Sequence, residues 1–345
     1  MNGALDAVQH PSRDKANNVP SDTRINAYHH GNNAIVRPPM RLNGGRTGHE
    51  IAFLAQLIIM MPWHRPQDDD GQQETENGGE RSMEFVELNG VGLRYEFSGK
   101  GDHTLVLVHE MGGSLESWDD VVPRFAGSRR VLRHDFRGSG LSQKVRGELH
   151  LDTMADDIAA LLDHAGIAGK VALAGVAVGG AIALHFAARY PERTSAVVVG
   201  SPATGISPDR RAAALERLLK IEAAGMAFAV EDSMQNGYAP ELRDDLKRFE
   251  RFRVRWLGND PASYATIWRM LAGADMQSEL AGLRCPVLVI GGSLDRVRPP
   301  KLAEAVAGTI PGARYVEIRT GHYMAVQTPD LISDCIDEFL KSVGA

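Results

Sequence analysis

The sequence predicts an α/β fold: a mostly parallel sheet with helices on both faces and an inserted block of helices. Three features of the 345-residue chain carry that expectation. Short, continuous apolar runs recur, each followed by a stretch with helical spacing, and strands that are apolar on both sides belong in a parallel sheet covered by helices on each face. A hairpin signal opens the series. The alternation is then interrupted once, from about residue 207 to 276, where three or four helical segments follow one another.

In order, residues 1–82 are rich in Asn, Gly, Pro, Asp and His, keep no sustained period, and are expected to be a disordered extension or the product of a misassigned start, with Met83 beginning the biological protein. The one apolar stretch there, residues 51–63 (IAFLAQLIIMMPW), is thirteen residues long, short of the roughly 20 needed to span a bilayer. It also begins too far from the N-terminus for a secretory signal. At Met83 two strand-like runs, MEFVEL and VGLRYEF, flank Asn89-Gly90, a strong hairpin dipeptide. Residues 83–345 are then read as one domain. Strands are expected at residues 104–109, 131–135, 171–175, 196–200, 286–290 and 315–318. Helices are expected at 115–125, 154–165, 178–190, 301–306 and 331–340, with breaks in the 207–276 block near Gly225, Asn236, Asn259 and Pro261.

In an open α/β sheet ligands sit beyond the carboxyl ends of the strands, so the residues just after each strand are the ones to read for chemistry. After the 171–175 strand stands Gly175-Val176-Ala177-Val178-Gly179, running straight into a helix. Other segments match in order and spacing: His109 with the glycines after it, Asp135-Phe136-Arg137-Gly138-Ser139-Gly140-Leu141-Ser142, Gly291-Gly292-Ser293-Leu294-Asp295 and Gly321-His322. On these motifs the chain from Met83 resembles the α/β-hydrolase superfamily, in particular the capped branch that includes 3-oxoadipate enol-lactonases and related ring-cleavage hydrolases. The resemblance implies a Gly-x-Ser-x-Gly nucleophile elbow at 175–179. Here Ala177 holds the serine position, and a methyl group cannot form an acyl-enzyme.

The resemblance further implies that His322 faces the elbow with Asp295 holding its tautomer, and that the backbone N–H groups of Met111 and Val178 form the oxyanion hole. Where relatives commonly carry His-Gly, this chain has His109-Glu110. An inward Glu110 could serve as acid or base; an outward one would be a solvated loop carboxylate. The inserted helices are expected to form a cap over the site, with Tyr238 and Trp268 as candidate ligand contacts and Trp118 and Ser114 as contacts from the loop side; most of the cap's aromatic and Met residues would be its own core. The Arg-rich stretch 243–255 reads as a solvated face or a carboxylate binder.

Composition limits the partners. A net charge of −6 provides no basic surplus for nucleic acid, and two cysteines exclude a disulfide framework and a cysteine-rich metal site, which fits a reducing cytoplasm. No cofactor motif and no metal site is read, which leaves a small molecule as the expected partner. Three functions remain open: a hydrolase of esters, lactones or C–C bonds that has lost its serine, a non-covalent His–Asp general-base enzyme of the cofactor-free dioxygenase or lyase type, and a ligand-binding homologue without catalysis.

Overall fold

The computed structural model describes residues 84–345. The expectations for residues 1–83, the extension, the apolar stretch at 51–63 and the start at Met83, lie outside the described residues.

Strands β1 (Glu84–Leu88) and β2 (Val91–Ser98) pair antiparallel with Leu88 opposite Val91. Only Asn89 and Gly90 turn the chain, at φ +51° and +70°, the left-handed pair that a type I′ hairpin turn needs. Six strands follow: β3 (Thr104–Val108), β4 (Arg130–His134), β5 (Val171–Val176), β6 (Thr194–Gly200), β7 (Val287–Gly292) and β8 (Arg314–Ile318). They complete an eight-stranded sheet in the order β1-β2-β4-β3-β5-β6-β7-β8, antiparallel at β1–β2 and β2–β4 and parallel from β4 to β8. This is the α/β-hydrolase fold.

Each parallel strand is apolar on both sides because both faces are covered. Val106 and Val108 point to the side packed by α1 (Leu151–His164), α2 (Val178–Arg189) and α7 (Pro300–Thr309), through Ile158, Ile182 and Ala303. Leu105 and Leu107, one residue out of phase, point to the opposite side, where Phe125 and Ile336 and Phe339 of α8 (Pro329–Val343) cover them. The two-residue period of a strand puts successive side chains into different cores.

Between β6 and β7 lie α3 (Pro208–Ala224), α4 (Val230–Gly237), α5 (Leu246–Leu257) and α6 (Pro261–Gly273), an insertion within the 207–276 block. Their starts and stops are set locally. Gly225 ends α3 at φ +81°. The Asp245 carboxylate accepts the Arg248 N–H at 2.9 Å to cap α5, and Asp260 accepts the Ser263 N–H at 2.7 Å to cap α6, whose first residue is Pro261.

One expected helix is not continuous. Residues 115–125 form two short turns, Leu115–Trp118 and Val122–Phe125, since Pro123 has no N–H to donate back along a helix. A short helix, Gln277–Ala281, precedes β7; with Leu280 its only buried side chain, it has no periodic signature to read. None of the described helices is long and apolar enough to cross a membrane.

The junction of β5 and α2 depends on Gly179. A Cβ there would lie 2.2 Å from the Val108 carbonyl oxygen and 2.5 Å from that of His109, backbone atoms that cannot yield without moving β3. Gly179→Ala is therefore expected to destabilise the protein by about 3 kcal/mol, the upper end for overpacking, read as a lowered urea midpoint with unchanged slope.

Candidate active site

The connection from β3 leads to β4 on one side of the sheet and that from β5 leads to β6 on the other. The carboxyl ends of β3 and β5 thus flank a topological switch point, the crevice in which such sheets bind ligands. The loop His109–Glu110–Met111 leaves β3 there, and Ala177–Val178 leaves β5.

Ala177 sits at φ +52° and ψ −113°, a strained conformation for a residue with a Cβ. The turn is held from both ends: the Ala177 N–H donates to the Gly200 carbonyl at 2.9 Å, and the Ala177 carbonyl accepts from the N–H groups of Ala203 at 2.9 Å and Ala181 at 3.1 Å. The side chain is 4% exposed. Val178 opens α2, where a backbone N–H has no acceptor within its own helix.

Two loops from the far side of the sheet supply a hydrogen-bonded pair. His322, after β8, and Asp295, after β7, are bonded Nδ1 to Oδ2 at 2.8 Å, and both are buried. The second Asp295 oxygen accepts the N–H groups of Val297 at 2.9 Å and Arg298 at 2.8 Å, so the carboxylate cannot swivel. Burial alone would raise the Asp295 pKa; the facing His322 ring and the Arg298 N–H outweigh it and hold the carboxyl below the usual range. With Nδ1 engaged, His322 is left with Nε2 for other partners. Its backbone is fixed too, since the His322 N–H donates to the Gly237 carbonyl at 2.9 Å, at the end of α4.

The loop after β3 is gripped by the insertion. Asn259 Nδ2, just beyond α5, donates to the Gly112 carbonyl at 2.9 Å. The indole of Trp256 lies against the Gly112 Cα so closely that a Cβ would fall 2.2 Å from its Nε1. Glu110 is turned inward and is 1% exposed. Its Oε1 accepts the Ser117 hydroxyl at 2.7 Å, and its Oε2 is buried with no hydrogen-bond partner. Burial raises its pKa, offset in part by the Ser117 bond, by its own backbone N–H and by nearby Arg255 and His322.

Of the residues singled out from sequence, the structure joins Asp295 to His322 and sets Ala177, Val178 and Met111 at the ends of β5 and β3. Met111 is half-buried and packs on the sheet core. Trp118 is fully buried, its ring among Val121, Val122 and Phe125 in the core covered by α8. Ser114 is also buried, with its hydroxyl committed to Glu116 at 2.6 Å. Tyr238 packs with Phe252 and Tyr323 in the insertion's core, while Trp268 is half-buried on α6.

The Arg-rich stretch is largely structural. Arg243 donates to the carbonyls of Met234 and Tyr238, each at 2.8 Å, and Arg248 and Arg253 pair with Asp120 and Glu231. Arg255 has a buried Nε without a hydrogen-bond partner. Its nearness to Glu110 and the place of Tyr323 next to His322 were not read from sequence. Neither residue carries a spacing signal, because each reaches the site through the tertiary fold.

The family described as serine aminopeptidase, S33, matches residues 99–321, well over half of the chain. The chain belongs to the serine aminopeptidase S33 family. Among similar proteins is 3-oxoadipate enol-lactonase 2 of Acinetobacter baylyi, 25% identical over 257 residues that cover 73% of this chain and 94% of that protein. Two solved structures superpose with a TM-score of 0.70. One is a thermophilic esterase from Thermogutta terrifontis, 28% identical, covering 77% of this chain and 100% of its own. The other is the enol-lactonase from Burkholderia xenovorans, 27% identical, covering 75% and 100%. The S33 match contains β3 to β8 and with them every residue of the crevice from His109 to Gly321; His322 follows immediately.

Proposed function

We propose that this S33-family protein hydrolyses a small, largely apolar ester, lactone or ring-cleavage product without an acyl-enzyme, using His322, oriented by Asp295, as general base on water above Ala177. The observation that carries this reading is the buried Asp295–His322 bond of 2.8 Å with both carboxylate oxygens occupied. Such a pair is costly to bury and fixes one imidazole tautomer, with Nε2 free to take a proton. The elbow backbone at Ala177 supports the placement of the reacting carbon, and the methyl group leaves room where a serine oxygen would stand. The N–H groups of Val178 and Met111 are the donors for a developing oxyanion. The helical insertion acts as the cap that sets specificity, and the similarity to enol-lactonases and an esterase supports the substrate class.

The test compares the natural protein, Ala177→Ser, His322→Ala and the double variant on p-nitrophenyl esters and enol-lactones. The natural protein is expected to turn over without a burst, and His322→Ala to lower its kcat about 10²–10⁴-fold, the usual contribution of a positioned base. Ala177→Ser is expected to add a burst of acyl-enzyme that the double variant lacks. Unchanged turnover on loss of His322 would sink the reading, and ligand binding with no turnover in any form would mark a binding protein instead.

A further inference from the structure

The geometry points to Glu110 as a second acid–base group of this site, a neutral carboxylic acid that donates its proton to the substrate's carbonyl oxygen while His322 acts on water. This rests on the hydrolytic reading above.

Glu110 stands between His109 at the end of β3 and Met111. Space is kept for its carboxyl by Gly113, where a Cβ would lie 2.2 Å from Oε1. The Ser117 hydroxyl donates to Oε1 at 2.7 Å, so that oxygen is an acceptor and a proton on the group belongs on Oε2. Oε2 is buried and no group of the protein bonds it. A buried O–H without an acceptor is costly, and in a native structure it calls for an explanation, a catalytic role being one.

Arg255 on α5 and His322 after β8 act electrostatically on the carboxyl, and the phenol of Tyr323, kept neutral by burial, belongs to the same surroundings. Burial and the raised pKa favour the neutral acid, and the same surroundings place His322 within electrostatic reach. A carboxylic acid and an imidazole base acting on one substrate are what acid–base catalysis requires.

The step balances without a nucleophilic side chain. A water O–H bond breaks, its proton passes to His322 Nε2, and its electron pair forms the new C–O bond at the carbonyl carbon. The carbonyl π pair moves to oxygen, which takes the proton of Glu110 and leaves a carboxylate. In the collapse that oxygen returns its proton to Glu110 as the double bond re-forms. The bond to the leaving oxygen breaks with its electron pair, and that oxygen takes the proton from His322. Ester and water become acid and alcohol, and both side chains end as they began.

The experiment uses Glu110→Gln, which keeps an acceptor for Ser117, and Glu110→Leu as a second variant of similar bulk, on p-nitrophenyl acetate in the natural and the Ala177→Ser backgrounds. Infrared difference spectra at neutral pH supply a readout independent of turnover. The carboxylic C=O band of the natural protein is expected to vanish in Glu110→Gln, kcat to fall about 100-fold with KM changed less than threefold, and the alkaline limb of the kcat profile, which reports loss of the Glu110 proton, to disappear. If His322→Ala abolishes turnover while Glu110→Gln leaves kcat within threefold, this assignment falls and the general-base reading stands. A missing C=O band overturns it whatever the kinetics. Indifference of turnover to His322→Ala, or no turnover in either background, overturns both.

Discussion

Asp295→Asn is expected to lower kcat for ester hydrolysis by about 10⁴-fold while leaving the fold intact. The size of the effect comes from the two-sided fixation of the carboxylate. One oxygen accepts backbone N–H groups from Val297 and Arg298, and the other accepts from His322. An asparagine amide has one acceptor and one donor end. The two backbone N–H groups demand the acceptor, which turns the –NH₂ toward Nδ1. His322 then accepts at Nδ1 and carries its proton on Nε2, the tautomer that cannot take a proton from water. A change in the thermal midpoint of only a degree or two, with kcat lost and KM nearly constant, would identify the tautomer as the cause. An Asn variant within tenfold of the natural protein would exclude Asp295 as the orienting group.

Acidification is expected to remove about 2 kcal/mol of stability through each of two buried histidines between pH 7.5 and pH 5. Burial pushes the pKa of His109 down to about 4 and that of His134 to about 3, His109 adding to the effect at His134. Unfolded, each titrates near 6.5. Both are therefore neutral in the fold and take up a proton on unfolding below about pH 6.5. Their contribution is complete above that pH and is lost progressively as pH falls toward the folded values. At pH 5 the loss is about 1.5 pH units at 1.36 kcal/mol each.

Glu110 and Asp135, whose pKa values are raised by burial, bind protons more readily in the fold and act in the opposite direction, so a difference measurement is required. Both ring nitrogens of His134 lack a partner, which lets His134→Leu replace the ring without stranding a donor. Between pH 7.5 and pH 5 the variant should lose about 2 kcal/mol less stability in urea than the natural protein, the loss through His109 remaining in both. Parallel pH dependence of the two would refute the assignment.

The fold was legible because its signals are local. Continuous apolar runs placed each parallel strand to within two residues or so, and Asn89-Gly90 marked its own turn. Pro123 could have warned against a single helix over 115–125, but the apolar spacing there is shared by any segment that buries one side. The pairing of His322 with Asp295 was legible from the order of motifs, because the sheet brings the ends of β7 and β8 together. Which way a side chain points was not. Trp118 and Tyr238 are aromatic whether they line a ligand or a core, and only the packing around them decides. Glu110 was a departure visible in the sequence, yet its inward rotamer depends on Gly113 and Ser117, residues with no signature of their own.

The grip of the insertion on Gly112 has a mechanical meaning. Asn259 and Trp256 follow one another closely at the end of α5, and both hold the loop that carries Glu110 and Met111. The end of α5 and the loop after β3 are therefore mechanically coupled: any displacement of α5 that broke the Asn259–Gly112 hydrogen bond would also unseat the indole from Gly112.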